Sequence, residues 1–267
     1  MLRPEFGRIS DVCEDLYQLG QRGIPVEATI AAVEYPNGEP AWALLLEGEV
    51  KGVCPLTETG VEAKAMPRMV GQTVHVVVKG IDRDLRLAAC SRREAVAKAW
   101  ERLKGTLKVG QVVDAGVRCI LPPAEKGQSS SLLVDIGGGV LAEVPKKEAA
   151  IYHSKSLLEQ FRPGQIVKAK IMSVEPLEVS IRQARPDSFA CTVFHRGQSI
   201  ACTVAHIWTT PKGERIVLVE PDAAPGMLGI APYPYLGEVS RGDRLVCVVA
   251  SYRPDRKQLR CRIRGWA

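Results

Sequence analysis

The chain has 267 residues, 46% of them hydrophobic and only 5% aromatic, with a net charge of +6. That length accommodates one or two ordinary domains or three compact ones, and no apolar run reaches the roughly 20 residues of a membrane span. With no signal-type apolar core in Met1–Phe6, a cytoplasmic protein is expected.

In chain order, Asp11 to Leu19 comes first, with Val12, Leu16 and Leu19 on one side. It reads as a short helix in an N-terminal arm, 1–22. From residue 23 a small phrase recurs six times: a glycine, a residue or two, then an aliphatic residue opening a strand. The phrases are Gly23-Ile24-Pro25-Val26, Gly71-Gln72-Thr73-Val74, Gly110-Gln111-Val112-Val113, Gly164-Gln165-Ile166-Val167, Gly197-Gln198-Ser199-Ile200 and Gly242-Asp243-Arg244-Leu245. Alternate members at 23, 110 and 197 lie 87 residues apart both times, and the other three drift. A fixed period with loop-sized slippage is the signature of a tandem array of one small domain. The units are 23–92, 106–186 and 187–267.

Each unit reads as five short strands. First strands alternate as Val26, Ala28, Ile30; Val113, Ala115, Val117; and Ile200, Cys202, Val204. Fourth strands follow the second glycine phrase of each unit. Fifth strands run Leu85, Leu87, Ala89; Leu177, Val179, Ile181; and Leu259, Cys261, Ile263. Period two with one apolar face predicts half-buried strands, and five of them in so short a unit predict a small closed barrel that leaves no free edge. Between units one and two, the capping box Ser91-Arg92-Arg93-Glu94 opens a linker helix, 93–105, which runs to Gly105 and places Trp100 at the joint. Leu121 to Ser131, with Pro122-Pro123, reads as an inserted loop. The expected fold class is therefore all-β: three tandem five-stranded barrels with a short N-terminal helix and a linker helix. The eight cysteines contain no C-x-x-C pair, and several, such as Cys202, Cys247 and Cys261, fall on inward positions. Core thiols are expected, with neither metal nor disulfide.

The ordered motifs resemble the S1 domain, the oligonucleotide-binding (OB) fold repeat of bacterial small-subunit ribosomal protein S1. Unit two carries the resemblance best, through Val109–Val113, Val134-Asp135-Ile136-Gly137-Gly138-Gly139, Phe161–Val167 and Val179-Ser180-Ile181-Arg182. Unit one adds Gly52–Glu58 and Ile81-Asp82; unit three adds Gly229-Ile230-Ala231-Pro232 and Arg241-Gly242-Asp243. The resemblance implies three OB-type barrels and a role on single-stranded RNA. It also shows departures. The aromatic that RNA-binding members carry on the second strand corresponds to Trp42, Leu133 and approximately Ile216, and their histidine leaving the third strand corresponds to Pro55, Pro145 and Pro232.

In this barrel type, ligands lie on the outer face of strands two and three and on the flanking loops. Unit three supplies Trp208 and Lys212 in one loop, and Tyr252, Arg253, Arg256 and Lys257 in another. Its last strand alternates Leu259, Cys261, Ile263 with Arg260, Arg262, Arg264, cations about 7 Å apart that approximate phosphate spacing. The other reading of that row is a solvated basic edge that discourages aggregation. Unit two offers Lys168 and Lys170 on strand four and Lys146 and Lys147 after strand three, as phosphate-steering or ordinary surface lysines. Trp42 is unit one's stacking candidate, with burial in the barrel the competing reading. Tyr233 and Tyr235 stand equally for RNA contact and for packing. Residues 1–100 carry a net charge of −2, 101–187 of +3 and 188–267 of +5, so affinity for a polyanion should rise along the chain. There is no P-loop, dinucleotide fingerprint, nucleophile motif or acidic metal cluster, so no enzyme and no cofactor is expected. The leading expectation is a non-catalytic binder of single-stranded RNA, messenger above all, in translation or RNA regulation. The alternative is a docking module for the ribosome or RNA polymerase, with single-stranded DNA a weaker third ligand.

Overall fold

The computed structural model describes residues 12–123, 129–211 and 213–267. Met1–Phe6, Asp11, Lys212 and residues 124–128 of the inserted loop lie outside them. The described chain is mostly β, in three five-stranded sheets. The first comprises β1 (Val26–Glu34), β2 (Ala41–Leu45), β3 (Lys51–Pro55), β4 (Thr73–Asp82) and β5 (Leu87–Ser91). The second comprises β6 (Val112–Leu121), β7 (Ser131–Asp135), β8 (Leu141–Pro145), β9 (Ile166–Ser173) and β10 (Glu178–Ser180). The third comprises β11 (Ser199–Thr209), β12 (Arg215–Pro221), β13 (Gly229–Pro232), β14 (Arg244–Arg253) and β15 (Gln258–Trp266). The first and third close into barrels in the order one-two-three-five-four, each sealed by a parallel pairing, β3 with β5 and β13 with β15.

The second sheet does not close, which corrects the expectation of three complete barrels. Its order is β10-β9-β6-β7-β8, with no ladder between β8 and β10. The cause is local. β10 is only three residues long, and at Ile181 the backbone turns helical into a 3-10 turn, Arg182–Ala184. A short helix, Lys146–Ala149, fills the gap: Ile181 N–H donates to the Glu148 carbonyl at 3.0 Å and the Ser180 hydroxyl donates to the Glu148 carboxylate at 2.7 Å. Val179 and Ile181 still point inward and are buried.

Five of the six phrase glycines adopt φ between +82° and +92°, a region closed to most side chains. There each N–H donates to a carbonyl of the neighbouring strand: Gly110 to Ile171, Gly164 to Val117, Gly197 to Val249, Gly242 to Val204 and Gly71 to Ile30. The phrase is thus a clamp between first and fourth strands. Gly23 differs: it ends helix α1 (Val12–Gln21), which buries Cys13 and Leu16 beside β4.

The linker helix α2 (Arg92–Lys104) is capped by Ser91, whose hydroxyl accepts from Glu94 N–H at 3.1 Å. Its Val96, Ala99, Trp100 and Leu103 pack on the second core, with Gly138 against Ala99. Seven cysteines are buried and Cys191 is exposed; burial pushes the Cys54 and Cys119 thiols up to about 11 and those of Cys90 and Cys261 up to about 12. Among the described residues no His, Cys, Asp and Glu group could hold a metal ion, and no helix is long and apolar enough to cross a membrane.

Candidate nucleic-acid interface

Side chains alternate faces along a strand, so the phase of each second strand decides what it offers a ligand. The third-strand prolines fix that phase. Pro55 faces Ala41, Pro145 faces Ser131 and Pro232 faces Ile216. Ala43, Leu133 and Leu218 are therefore equivalent outward positions, while Trp42 shares the inward position of Leu132 and Val217. Trp42 is 0% exposed, its indole N–H donating to the Met66 carbonyl at 3.2 Å. This removes it from the stacking candidates: the sequence alignment was one residue out of phase.

On the second sheet the outer face is already covered. All five residues of β7 are buried, and outward Leu133, Cys119 and Leu121 belong to the core cluster of the first barrel, with Met66 and Met69. Arg118 pairs with Asp135 at 2.7 Å within the second sheet and, across this seam, accepts the Gln72 amide on its carbonyl at 2.8 Å. Buried Arg92 bridges it, donating to the carbonyls of Thr59 at 2.9 Å and Gly139 at 2.5 Å. Burial brings the Arg92 guanidinium down to about 10, against the opposing pull of Asp135.

On the third sheet the equivalent face is covered only at Glu220, by His153 and Ser154, and is open from the row of Leu218 to Trp208. Register runs His206, Leu218, Ile230 and Arg260 across β11, β12, β13 and β15, with Trp208 opposite Ile216 in the next row. Trp208 is 52% and Ile230 48% exposed, and His206 and Arg260 are also exposed. The result is a shallow apolar strip bordered by cations, suited to base faces beside phosphates. Arg260, Arg262 and Arg264 are all exposed, and none of their guanidiniums makes an ion pair or hydrogen bond among the described residues. The row is not perfectly regular. Val246 pairs with Gly265 and Cys247 with Ile263, so Arg264 sits in a bulge that re-aims it relative to Arg260 and Arg262.

The loop residues divide. Tyr252 is committed to packing: its ring stacks on Phe189 at 6.0 Å and meets Phe194 edge-on at 5.7 Å, and its hydroxyl lies 2.6 Å from the Thr192 carbonyl. That corrects its reading as a stacking residue. Lys257 pairs with Asp187 at 2.6 Å and Arg256 lies 3.8 Å from Asp255, while Arg253 is exposed. Lys212 is outside the described residues. Tyr233 packs under the Arg215 guanidinium at 3.8 Å, and its oxygen accepts from Val239 N–H; Tyr235 is fully exposed.

On the second sheet Lys168 is exposed but paired with Asp114 at 2.7 Å, and Lys170 lies one pleat further along β9. Lys146 and Lys147 open the Lys146–Ala149 helix and, with Lys64, line a separate pocket of about 220 Å³ beside Ser131 and Glu143. The lysines therefore form two patches. Sequence reasoning missed Ile230, His206 and Leu218, which the proline register would have placed. It also missed Glu220, whose signal was a lone acid ending the run Ile216-Val217-Leu218-Val219. Buried Glu220 accepts from His153 N–H at 3.2 Å, Ser154 N–H at 2.9 Å, the Ser154 hydroxyl at 2.8 Å and Gly226 N–H at 2.7 Å, joining the second and third sheets.

No protein-family model matches the chain. Among curated proteins, the small ribosomal subunit protein bS1 of Staphylococcus saprophyticus is 26% identical over 147 residues, 52% of this chain and 36% of that protein. The Staphylococcus aureus bS1 is 28% identical over 147 residues with the same shares. The Bacillus cereus bS1 homolog is 27% identical over 145 residues, 53% of this chain and 36% of the relative. The chain thus spans about a third of the length of the curated relatives it matches. Among solved structures, a multidomain protein with nucleic acid binding domains from Streptococcus pneumoniae covers 90% of this chain and 73% of its own, at 14% identity and a TM-score of 0.24.

Proposed function

We propose that this chain is a non-catalytic, cytoplasmic binder of single-stranded RNA of the ribosomal S1 type, with the third barrel as its ligand-bearing unit. The observation that carries this reading is the uncovered strip of Trp208 and Ile230 beside Arg260, Arg262 and Arg264, guanidiniums with no carboxylate partner among the described residues. Matched stretches of the small ribosomal subunit protein bS1 in three species support a role in translation, and messenger RNA is the ligand this reading assigns. In this reading phosphates follow the arginines, and one or two bases lie on Trp208 and Ile230. Lys146, Lys147, Lys168 and Lys170 add long-range attraction.

Titration of a labelled single-stranded RNA at several salt concentrations tests it. The logarithmic salt slope should be about −0.7 per phosphate neutralised, and the triple change of Arg260, Arg262 and Arg264 to Ala should flatten it by about 2. Trp208→Ala should weaken binding by about 1–3 kcal/mol with the slope retained. Binding that keeps its slope in the triple variant would overturn the assignment.

A second reading, a docking module for the ribosome or RNA polymerase, is favoured by the covered outer face of the second sheet. Absence of RNA binding even at low salt would select it. Parallel titration of the matching DNA separates the two nucleic acids, since the sheet face itself does not read the sugar.

A further inference from the structure

The outer face of the third barrel runs on past its arginine row. Register sets Leu218, Ile230 and Arg260 side by side. One pleat further toward the second sheet lie Glu220 on β12 and Gln258 on β15, and Lys257 immediately precedes β15 at that end. There a cleft of about 620 Å³ opens at the joint of the second and third sheets. The β8–β9 connection contributes His153 to its wall, and the turn after β10 contributes Arg182 and Arg185. Asp187 and Phe189 come from the segment joining the two sheets, and Lys257 from the third barrel.

Charge and size narrow what this cleft can hold. Arg182, Arg185 and Lys257 line it against one acid, Asp187, a net +2. Two of these cations are engaged: Arg182 by Glu148 at 3.2 Å, outside the lining, and Lys257 by Asp187 at 2.6 Å. Arg185 is exposed, and its guanidinium makes no ion pair or hydrogen bond among the described residues. His153 is half-buried and tied through its backbone to Glu220 and Arg241, while its imidazole has no hydrogen bond among the described residues. A free guanidinium and a free imidazole in a positive cleft favour an anion. Phe189 adds an aromatic wall, and the volume lies within the roughly 300–1,000 Å³ of ligand sites. A phosphate joined to a base meets all three conditions.

We propose that this cleft is a further nucleotide subsite, entered by the same RNA strand that lies on the third barrel, an inference that rests on reading that barrel as an RNA binder. Continuity selects the strand over a free nucleotide. Lys257 lies three residues from Arg260, about 10 Å of extended chain, or one to two steps at the spacing of the arginine row. A strand that follows Arg264, Arg262 and Arg260 therefore brings its next phosphates to the cleft. Arg185 receives one of them in its donor fork, Arg182 and Lys257 add charge, and His153 offers a ring N–H. Glu220 does not bar the way: it is buried, and its carboxylate is taken up by the N–H groups of His153, Ser154 and Gly226 and the Ser154 hydroxyl. The joint, rather than one barrel, then sets the length of RNA bound.

Cys191 lines the cleft and is the one exposed cysteine among the described residues, so its alkylation by a maleimide reports occupancy. The full chain is titrated with labelled oligouridylates of about four and about eight nucleotides, short for a barrel of this type, and the Cys191 rate is measured with each strand saturating. The longer strand should slow Cys191 several-fold and the shorter should not. The longer strand should also bind more tightly, and Arg185→Glu should cut that gain by about tenfold or more, the worth of a charged hydrogen bond to one phosphate. Arg185→Lys should keep most of the gain, and Arg102→Glu, the same charge change on the exposed side of the linker helix, should keep all of it. A gain untouched by Arg185→Glu, or Cys191 unprotected by the bound longer strand, overturns the subsite and leaves the third barrel as the RNA site. A gain cut equally by Arg102→Glu overturns it in favour of overall charge. Free uridine monophosphate that protects Cys191 as well as the longer strand does at equal concentration overturns it in favour of a small molecule. If neither strand binds at all, the RNA reading itself falls, and the subsite with it.

Discussion

Trp42 and Trp208 are the same side chain in opposite settings. Trp42 fills the first barrel with its indole N–H on the Met66 carbonyl, whereas Trp208 lies half in solvent at the end of β11. Their substitutions should therefore separate stability from affinity. Trp42→Phe removes a buried donor and leaves part of its volume empty, which should cost about 1–3 kcal/mol in a urea titration. RNA affinity of the folded variant should be unchanged. Trp208→Ala should do the reverse, with stability within about 0.5 kcal/mol of wild type. Loss of affinity in Trp42→Phe would return the first barrel to the binding site. The phase of Trp42 was hard to read because Ala41-Trp42-Ala43-Leu44-Leu45 is apolar on both faces, leaving no polar residue to mark the outside. Tyr252 was misread for a different reason. Its partners Phe189 and Phe194 lie about sixty positions earlier in the chain, so only tertiary structure brings the three rings together.

At the scale of elements, the glycine phrases were legible because they encode a backbone requirement that few other residues meet. Strand interiors were legible wherever one face met water. Closure of the second sheet was not, because Leu177-Glu178-Val179-Ser180-Ile181 keeps the alternation of a strand while the ladder stops at Ser180. What replaces the ladder is a carboxylate. Burial pushes the Glu148 carboxyl up, but hydrogen bonds from Ser180 and Gln183 and the charge and hydrogen bond of Arg182 outweigh it and hold it below its ordinary value. A group depressed in the folded state contributes stability above its unfolded value, about 4.3, and loses it as pH falls through the lower folded one. Glu148→Gln should therefore destabilise the chain at pH 7, and the difference from wild type should shrink as pH falls below about 4. Urea midpoints of both proteins across that range measure it. A difference independent of pH would mean that the carboxylate fills the gap through its shape and hydrogen bonds and that its charge contributes nothing.

Across the whole molecule, period and charge gradient were both readable, since each is a sum over many residues. The seams were not. They depend on Arg92, which the sequence presents as an ordinary first-turn residue of a capped helix, and on Glu220, an acid ending an apolar strand. Arg92 is 2% exposed, with one carbonyl partner in the connection after β3 and one in the turn between β7 and β8. Removing its head leaves the Thr59 and Gly139 carbonyls without that donor and leaves Asp135 with less positive charge nearby. Leaving a buried carbonyl without its donor typically costs about 1–3 kcal/mol. Because its two hydrogen bonds lie on opposite sides of the seam, the loss should fall on coupling between the sheets more than on either core. In Arg92→Met, whose side chain keeps most of the volume, calorimetry should resolve separate unfolding of the first barrel and the second sheet where the wild type shows one cooperative event. The apolar contact of Met66 and Met69 with Leu133 remains in that variant and sets a floor on how far the two can part. A single transition moved to lower temperature would instead show that this apolar contact carries the coupling, with Arg92 adding only stability.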